Sequence, residues 1–278
     1  MTKVSLSSQD LLAETLLIPL YARAVEAQRP DALVRDDQVV AMIGQIDYDF
    51  SRIKLLAHDQ VGIILRVRQF DRRARDFLAR HPDAVVVHIG CGLDTRFERV
   101  AERNGGVEWY DLDLPEVMEL RQKLVGQAPR SHSLACSVFD ADWLDTVSVH
   151  RARPFLFVAE GVLPYFEQAQ VKELVQRLKE RFPGAELVCD AMTPLVVWLH
   201  NWELAFSKIG ARLHWGLRDP RDVEKWGAGI RLLDKWYYFE RPEPRLGASR
   251  LMRYIPPLGK GVGVFHYRLG DPQSLQGG

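Results

Sequence analysis

The sequence predicts a doubly wound α/β fold, a mostly parallel sheet with helices on both faces and a helical cover in front of it. Two observations predict this. Between residues 81 and 190, five short apolar, β-rich runs alternate with segments of helical period, the pattern of parallel strands joined by right-handed crossovers. Before residue 80 the apolar residues recur at helical spacing only, and the period then switches abruptly.

Each element follows from local chemistry. Asp10 can cap a helix carrying Leu11, Leu12, Thr15, Leu16, Ala22 and Val25, and a second helix runs from Val39 to Ile46. A third places Val61, Ile64, Leu65, Val67, Phe70, Ala74, Phe77 and Leu78 along one stripe. Ala84 to Ile89 is the first strand, ending at Gly90, with a helix from about Thr95 to Arg103 behind it. Val107 to Leu112 is the second strand. Pro115 then suits a first helical turn, where its missing N–H has no partner to lose, and Glu116 to Leu124 continues that helix. Ser131 to Cys136 is a third strand and Asp140 to Val147 a short helix. Pro154 to Ala159 is a fourth strand, followed after Glu160 by a helix whose Val171, Leu174, Val175, Leu178 and Phe182 share one face and which Gly184 stops. Glu186 to Cys189 is the fifth strand. The pattern then breaks over an expected helical insertion, residues 191–229, which holds Trp198, Trp202, Trp215 and Trp226. Ile230 to Phe239 and Val262 to Leu269 are two final strands. The expectation is one domain over 1–278, made of a cover (1–80), a core (81–190), the insertion and the last strands (230–278).

Composition narrows the partners. The 37 basic and 37 acidic residues leave no net charge, so no nucleic-acid or anionic membrane partner is expected. No apolar run reaches the roughly 20 residues that cross a bilayer, and no leader is visible, which points to a cytoplasmic protein. Cys91, Cys136 and Cys189 show neither disulfide-scaffold density nor zinc-site spacing, and read as reduced fillers.

Three positions then fall at the carboxyl ends of strands, where open α/β sheets bind ligands. The loop Gly90-Cys91-Gly92-Leu93-Asp94-Thr95-Arg96 follows the first strand and opens a helix; alone it is equally a tight connection. Asp113 ends the second strand, placed to accept hydrogen bonds from a ribose diol. Glu160 ends the fourth, after a run too apolar to hold an unpaired carboxylate cheaply, and a cationic ligand would justify it. Thr95 stands where a dinucleotide fingerprint wants its third glycine, which argues against a pyrophosphate and hence against NAD. S-adenosylmethionine (SAM) carries a diol, a sulfonium and an ammonium group, and no phosphate.

With Asp111-Leu112-Asp113-Leu114-Pro115 and Ala159-Glu160-Gly161-Val162-Leu163-Pro164-Tyr165-Phe166, this loop resembles the signatures of the leucine carboxyl methyltransferase superfamily, most closely its bacterial, polyketide-modifying branch. The resemblance implies a Rossmann-like, seven-stranded class I methyltransferase fold. It also implies cofactor contacts from Gly90, Cys91, Gly92, Asp113, Leu114 and Glu160, with Arg66 on the methionine carboxylate and Arg68 as the alternative. Where protein-modifying members have Asp-Leu beside the adenine, this chain has Ser137-Val138, which are its candidate adenine contacts.

The expected activity is O-methylation of a small-molecule hydroxyl or carboxylate by in-line transfer from SAM, leaving S-adenosylhomocysteine and needing no metal. A protein C-terminal carboxyl methyltransferase and a non-catalytic or NAD-binding domain are the alternatives. A phenol acceptor needs a general base whereas a carboxylic acid does not. His200 and His214 are candidate bases, each equally open to an ordinary surface or core-edge role, and Tyr165 is a candidate positioning group. Tyr48, Trp198, Trp202, Phe206 and Trp215 are candidates to line an acceptor pocket, or simply to pack the cover onto the sheet.

Overall fold

The computed structural model describes residues 4–5, 11–101, 105–126, 128–204, 212–240 and 243–271. Its main sheet has seven strands: β1 (Val85–Ile89), β2 (Glu108–Asp113), β3 (Ser131–Ala135), β4 (Phe155–Ala159), β5 (Ala185–Met192), β6 (Arg231–Tyr237) and β7 (Val262–Leu269). Their order is β3-β2-β1-β4-β5-β7-β6, with β7 antiparallel to both neighbours. The order reverses between β1 and β4, so a crevice opens outside their carboxyl ends. This is the class I methyltransferase sheet that the sequence predicts.

β5 runs three residues past its expected end at Cys189, because it pairs with β7 in unbroken register from Ala185↔Leu269 to Met192↔Val262. The Asp190 carboxylate just past that expected end is buried and paired (below), so the strand continues through it.

Two apolar layers flank the sheet. Val85, Val87 and Ile89 of β1 face a layer with Trp143, Leu174, Leu178 and Phe182, while Val86 faces Phe70, Phe77 and Trp109. That alternation places β1 at the centre of a sheet covered on both faces. The cover comprises α1 (Leu11–Ala27), α2 (Asp37–Gln45) and α3 (Ala57–Arg80). Leu17, Leu20 and Ala24 of α1 pack on Val39, Met42 and Ile46, and reach Leu93 and Leu124 of the core. Asp36 caps α2 by accepting the Val39 N–H at 3.1 Å. The core helices are α4 (Arg96–Val100), α5 (Pro115–Leu124), α6 (Asp142–Ser148) and α7 (Gln168–Arg181). α4 is shorter than the stretch to Arg103 expected from sequence, and residues 102–104 lie outside the described set.

The described part of the insertion carries α8 (Pro194–Leu204) and a 3₁₀ segment (Pro220–Trp226), and the residues 212–219 before the latter are irregular and pinned from several sides. Pro164 O accepts the N–H groups of both His214 and Trp215, and Asn201 bonds both the N–H and the carbonyl of Leu213. Among the described residues no helix is long and apolar enough to cross a membrane.

One buried pair ties sheet to helix with a consequence for acid stability. Arg121 of α5 donates to Asp111 of β2 at 2.7 Å, and the guanidinium holds that buried carboxyl down at about 2, against the burial that opposes it. Because the folded value lies below the unfolded one near 4, the stabilisation is full above pH 4 and lost as pH falls towards 2. Asp111→Asn is therefore expected to be less stable than the parent by about 2 kcal/mol at pH 7 and to lose that deficit near pH 2, as urea melts at both pH values will read.

Candidate cofactor and active site

A cavity of about 380 Å³ occupies the crevice at the strand reversal. Its lining includes Arg66, Gly90, Cys91, Gly92, Asp113, Leu114, Ser137, Val138 and Glu160, every cofactor-binding candidate from the sequence, together with Tyr165. Arg68, two residues along α3, is not among the lining residues. α1 supplies a further wall through Thr15, Leu16, Pro19 and Arg23.

The glycine loop is built by close approach. Gly90 has φ +61°, and a Cβ there would stand 2.3 Å from Val162 Cγ2 in the loop after β4, so the glycine is demanded by loop-on-loop packing even without a ligand. Gly92, at φ +49°, would meet Leu16 of the cover at 2.9 Å. The Cys91 thiol is buried and pushed well up by that burial, which suits a packing role rather than a nucleophilic one.

Asp113 ends β2 with both oxygens engaged by backbone: Gly92 N–H at 2.8 Å and Leu114 N–H at 2.8 Å. Burial raises its carboxyl above the ordinary range. Each oxygen keeps further acceptor capacity, which a diol can fill. The cavity wall beside it is apolar, with Leu114, Val117, Val138, Val162 and Phe166, and suits a flat base. Ser137 N–H donates to Asp140 Oδ2 at 2.9 Å, and Ser137 Oγ accepts from the Phe139 N–H at 3.2 Å, leaving the hydroxyl hydrogen to donate.

The opposite end of the cavity is ionic. Arg66 Nε donates to Glu160 Oε1 at 2.9 Å and Nη1 to Asp190 Oδ2 at 3.2 Å. Arg96, fully buried at the start of α4, donates to the other Glu160 oxygen, to Asp71 at 2.9 Å and to Asp94 at 3.0 Å. The cation that the apolar run demanded for Glu160 comes from the chain itself: two guanidiniums from distant segments answer it, and no cationic ligand is required to justify its burial. Three of the five N–H groups of Arg66 are not used by these two carboxylates, enough to take a ligand carboxylate. Glycine cradle, diol-accepting acid, apolar slot and free guanidinium N–H groups together fit SAM.

Beneath the loop, His88 Nε2 lies 3.0 Å from Arg96 Nη1. Arginine can only donate, so Nε2 accepts and the ring proton is on Nδ1, facing Asp111 at 3.6 Å. A ring held this way has no free nitrogen to take a substrate proton.

His200 and His214 do not join the cavity lining. His200 sits on α8, and His214 is an exposed ring with Nδ1 2.9 Å from Glu167. The aromatic candidates also disperse. Trp215 is buried and packs 6.1 Å from Trp226, Tyr48 packs 5.3 Å from Phe50 in the cover, and Trp198 and Trp202 are about three-fifths exposed. Phe206 lies outside the described residues.

Sequence reasoning passed over Arg23, His88 and Asp190, and gave Asp94 and Arg96 of the loop no role of their own. Asp190 was findable by the rule that found Asp113 and Glu160, since in sequence it directly follows an expected strand, Glu186 to Cys189. His88 was visible as the one polar side chain in an apolar strand run. Arg23 carried no signal, because its partners Asp36, Asp94 and Thr95 are up to 72 positions away.

The leucine carboxyl methyltransferase family profile matches residues 17–179. The tetracenomycin polyketide synthesis O-methyltransferase TcmP of Streptomyces glaucescens is 37% identical over 253 residues, covering 88% of this chain and 92% of that protein. The S-adenosyl-L-methionine-dependent methyltransferase dpfgK of Gibberella zeae is 30% identical over 255 residues, 84% of each chain. The fold matches a solved DUF574 family protein from Streptomyces avermitilis with a TM-score of 0.54 at 17% identity, covering 91% of this chain and 97% of that one. It also matches a solved structure from Thermobifida fusca at 0.58 and 18%, covering 90% and 94%. On the profile match and these near-full-length relatives, the chain belongs to the leucine carboxyl methyltransferase family and is a SAM-dependent methyltransferase.

Proposed function

We propose that the protein methylates a carboxylate of a small, polyketide-like acceptor, giving a methyl ester. One observation carries this: among the described residues that line the cavity, no side chain is free to act as a general base. Glu160 is held by Arg66 and Arg96, Asp94 by Arg23, Arg96 and Arg99, and His88 by Arg96. Burial pushes the Tyr165 phenol and the Cys136 thiol up, away from deprotonation at neutral pH. Asp113 is committed to backbone N–H groups at the diol end. An acceptor already ionised near neutrality needs none of them, and a carboxylic acid is one.

Bound SAM supplies an electrophilic methyl group. The chain's part is to orient it. Arg66 and Asp113 hold the two ends of the ligand, and the cover wall of Leu16 and Pro19 excludes water. Tyr165, at the cavity and 38% exposed, positions the incoming oxygen in line. No metal is invoked. The relative from Streptomyces supports the small-molecule class, and the family's description keeps a chain-terminal leucine carboxylate as a second acceptor to test.

The test is to supply methyl-labelled SAM with aromatic carboxylic acids, matched phenols and peptides ending in leucine. Mild alkali releases labelled methanol from esters but not from aryl ethers. Alkali-labile label on the acids is the expected result; label confined to alkali-stable phenol products, or to the peptides, overturns it. On such an acid, His200→Ala and His214→Ala are each expected to keep turnover within about threefold of the parent, against the roughly 10²–10⁴-fold loss of a true general base.

A further inference from the structure

Asp190 does not line the cavity, yet it is 2% exposed and touches two things that shape it. Oδ1 accepts the Gly161 N–H at 2.8 Å, in the loop that carries Tyr165, and Oδ2 accepts from Arg66 at 3.2 Å. Burial alone would drive the carboxyl neutral and does raise it, with Arg66 and the Gly161 N–H as the opposing forces. Tyr238, just after β6, lies within electrostatic reach of the same guanidinium, and its ring lies about 3.5 Å from where a side chain on Gly62 of α3 would begin. Arg66 is thus bonded to both Glu160 and Asp190, with Tyr238 as a further neighbour.

We infer that Asp190 and Tyr238 are positioning residues that act through Arg66, fixing the guanidinium in the orientation that receives the cofactor's amino-acid carboxylate, while Asp190 holds the Gly161 turn beside it. The inference rests on Arg66 being the carboxylate's partner. A flexible arginine loses side-chain freedom when it binds, and one already braced by two neighbours loses less. The sign of the effect separates positioning from simple charge. Asp190 is an anion near an anionic ligand group, so if only its field mattered, removing the charge would tighten binding. If it positions Arg66, removing the charge weakens binding.

Asp190→Asn keeps the shape and an acceptor for Gly161, and changes little but the pull on Arg66. Calorimetry on the full chain with S-adenosylhomocysteine and with 5′-methylthioadenosine, which shares the nucleoside and sulfur but lacks the amino-acid carboxylate, reads the effect. The expected result is about tenfold weaker binding of the first with the second within about twofold of the parent. In turnover, the KM for SAM rises while kcat at saturating SAM holds. Tyr238→Phe should show the same selectivity with a smaller loss, and carries the test if Asp190→Asn does not fold. Unchanged or tighter binding of S-adenosylhomocysteine overturns the inference, as does an equal loss of both ligands, the mark of a merely structural role. Arg66→Ala separates the two levels: if it spares S-adenosylhomocysteine, the assignment of Arg66 itself falls. If it weakens that ligand and the Asp190 and Tyr238 variants do not, the positioning inference alone falls.

Discussion

Arg96→Met is expected to cost about 3–5 kcal/mol of folding stability, the range for breaking a buried ion pair from one side. The side chain has no solvent exposure and bonds Asp71, Asp94, Glu160 and His88. Methionine fills most of the volume but answers none of them. Arg99 still reaches Asp71 and Asp94, Arg23 still reaches Asp94, and Arg66 still reaches Glu160, so every carboxylate keeps at least one cation. What is lost is a group that links α3, the glycine loop and the β4 end through one planar fork, and His88 Nε2 is left without its donor. The fall in urea midpoint at an unchanged m-value measures the loss. The deficit should shrink as pH drops, because the parent's Asp71 and Asp94, held below the ordinary range by their arginines, lose stabilisation on protonation, whereas in the variant protonation relieves excess negative charge. A loss below about 1 kcal/mol would mean that the network re-pairs or admits water.

Asp113→Ala is expected to weaken S-adenosylhomocysteine binding by about 1.5–3 kcal/mol, or roughly 10- to 150-fold, the worth of hydrogen bonds to a charged acceptor. Alanine also frees the Gly92 and Leu114 N–H groups, so part of any loss reflects a looser loop. Asp113→Asn separates the parts: its single carbonyl oxygen retains one backbone N–H, while its amide donors face a diol that also donates. Both variants should bind weakly, with the melting temperature of the asparagine variant nearer the parent. Normal affinity in a folded alanine variant would remove Asp113 from the ribose site.

The seven strands, the glycine loop and the acids that follow β2 and β4 were legible because each is a local pattern: a run, a turn residue, a polar residue at a run's end. Histidine chemistry was legible only as residue type. Where the rings of His200 and His214 point depends on how α8 and the Pro164 contacts seat the insertion.

The sequence by itself determined the alternating sheet and the placement of the candidate ligand residues at strand ends, since hydrophobic period and turn chemistry act within a few residues. Only the tertiary structure decided that Glu160 is doubly paired, that Arg66 rather than Arg68 lines the cavity, and that His88 is a locked acceptor. Those outcomes depend on charges brought together from up to 124 positions apart, as in Arg66 with Asp190. A buried charge takes its meaning from whichever partners folding delivers, and no spacing along the chain records them.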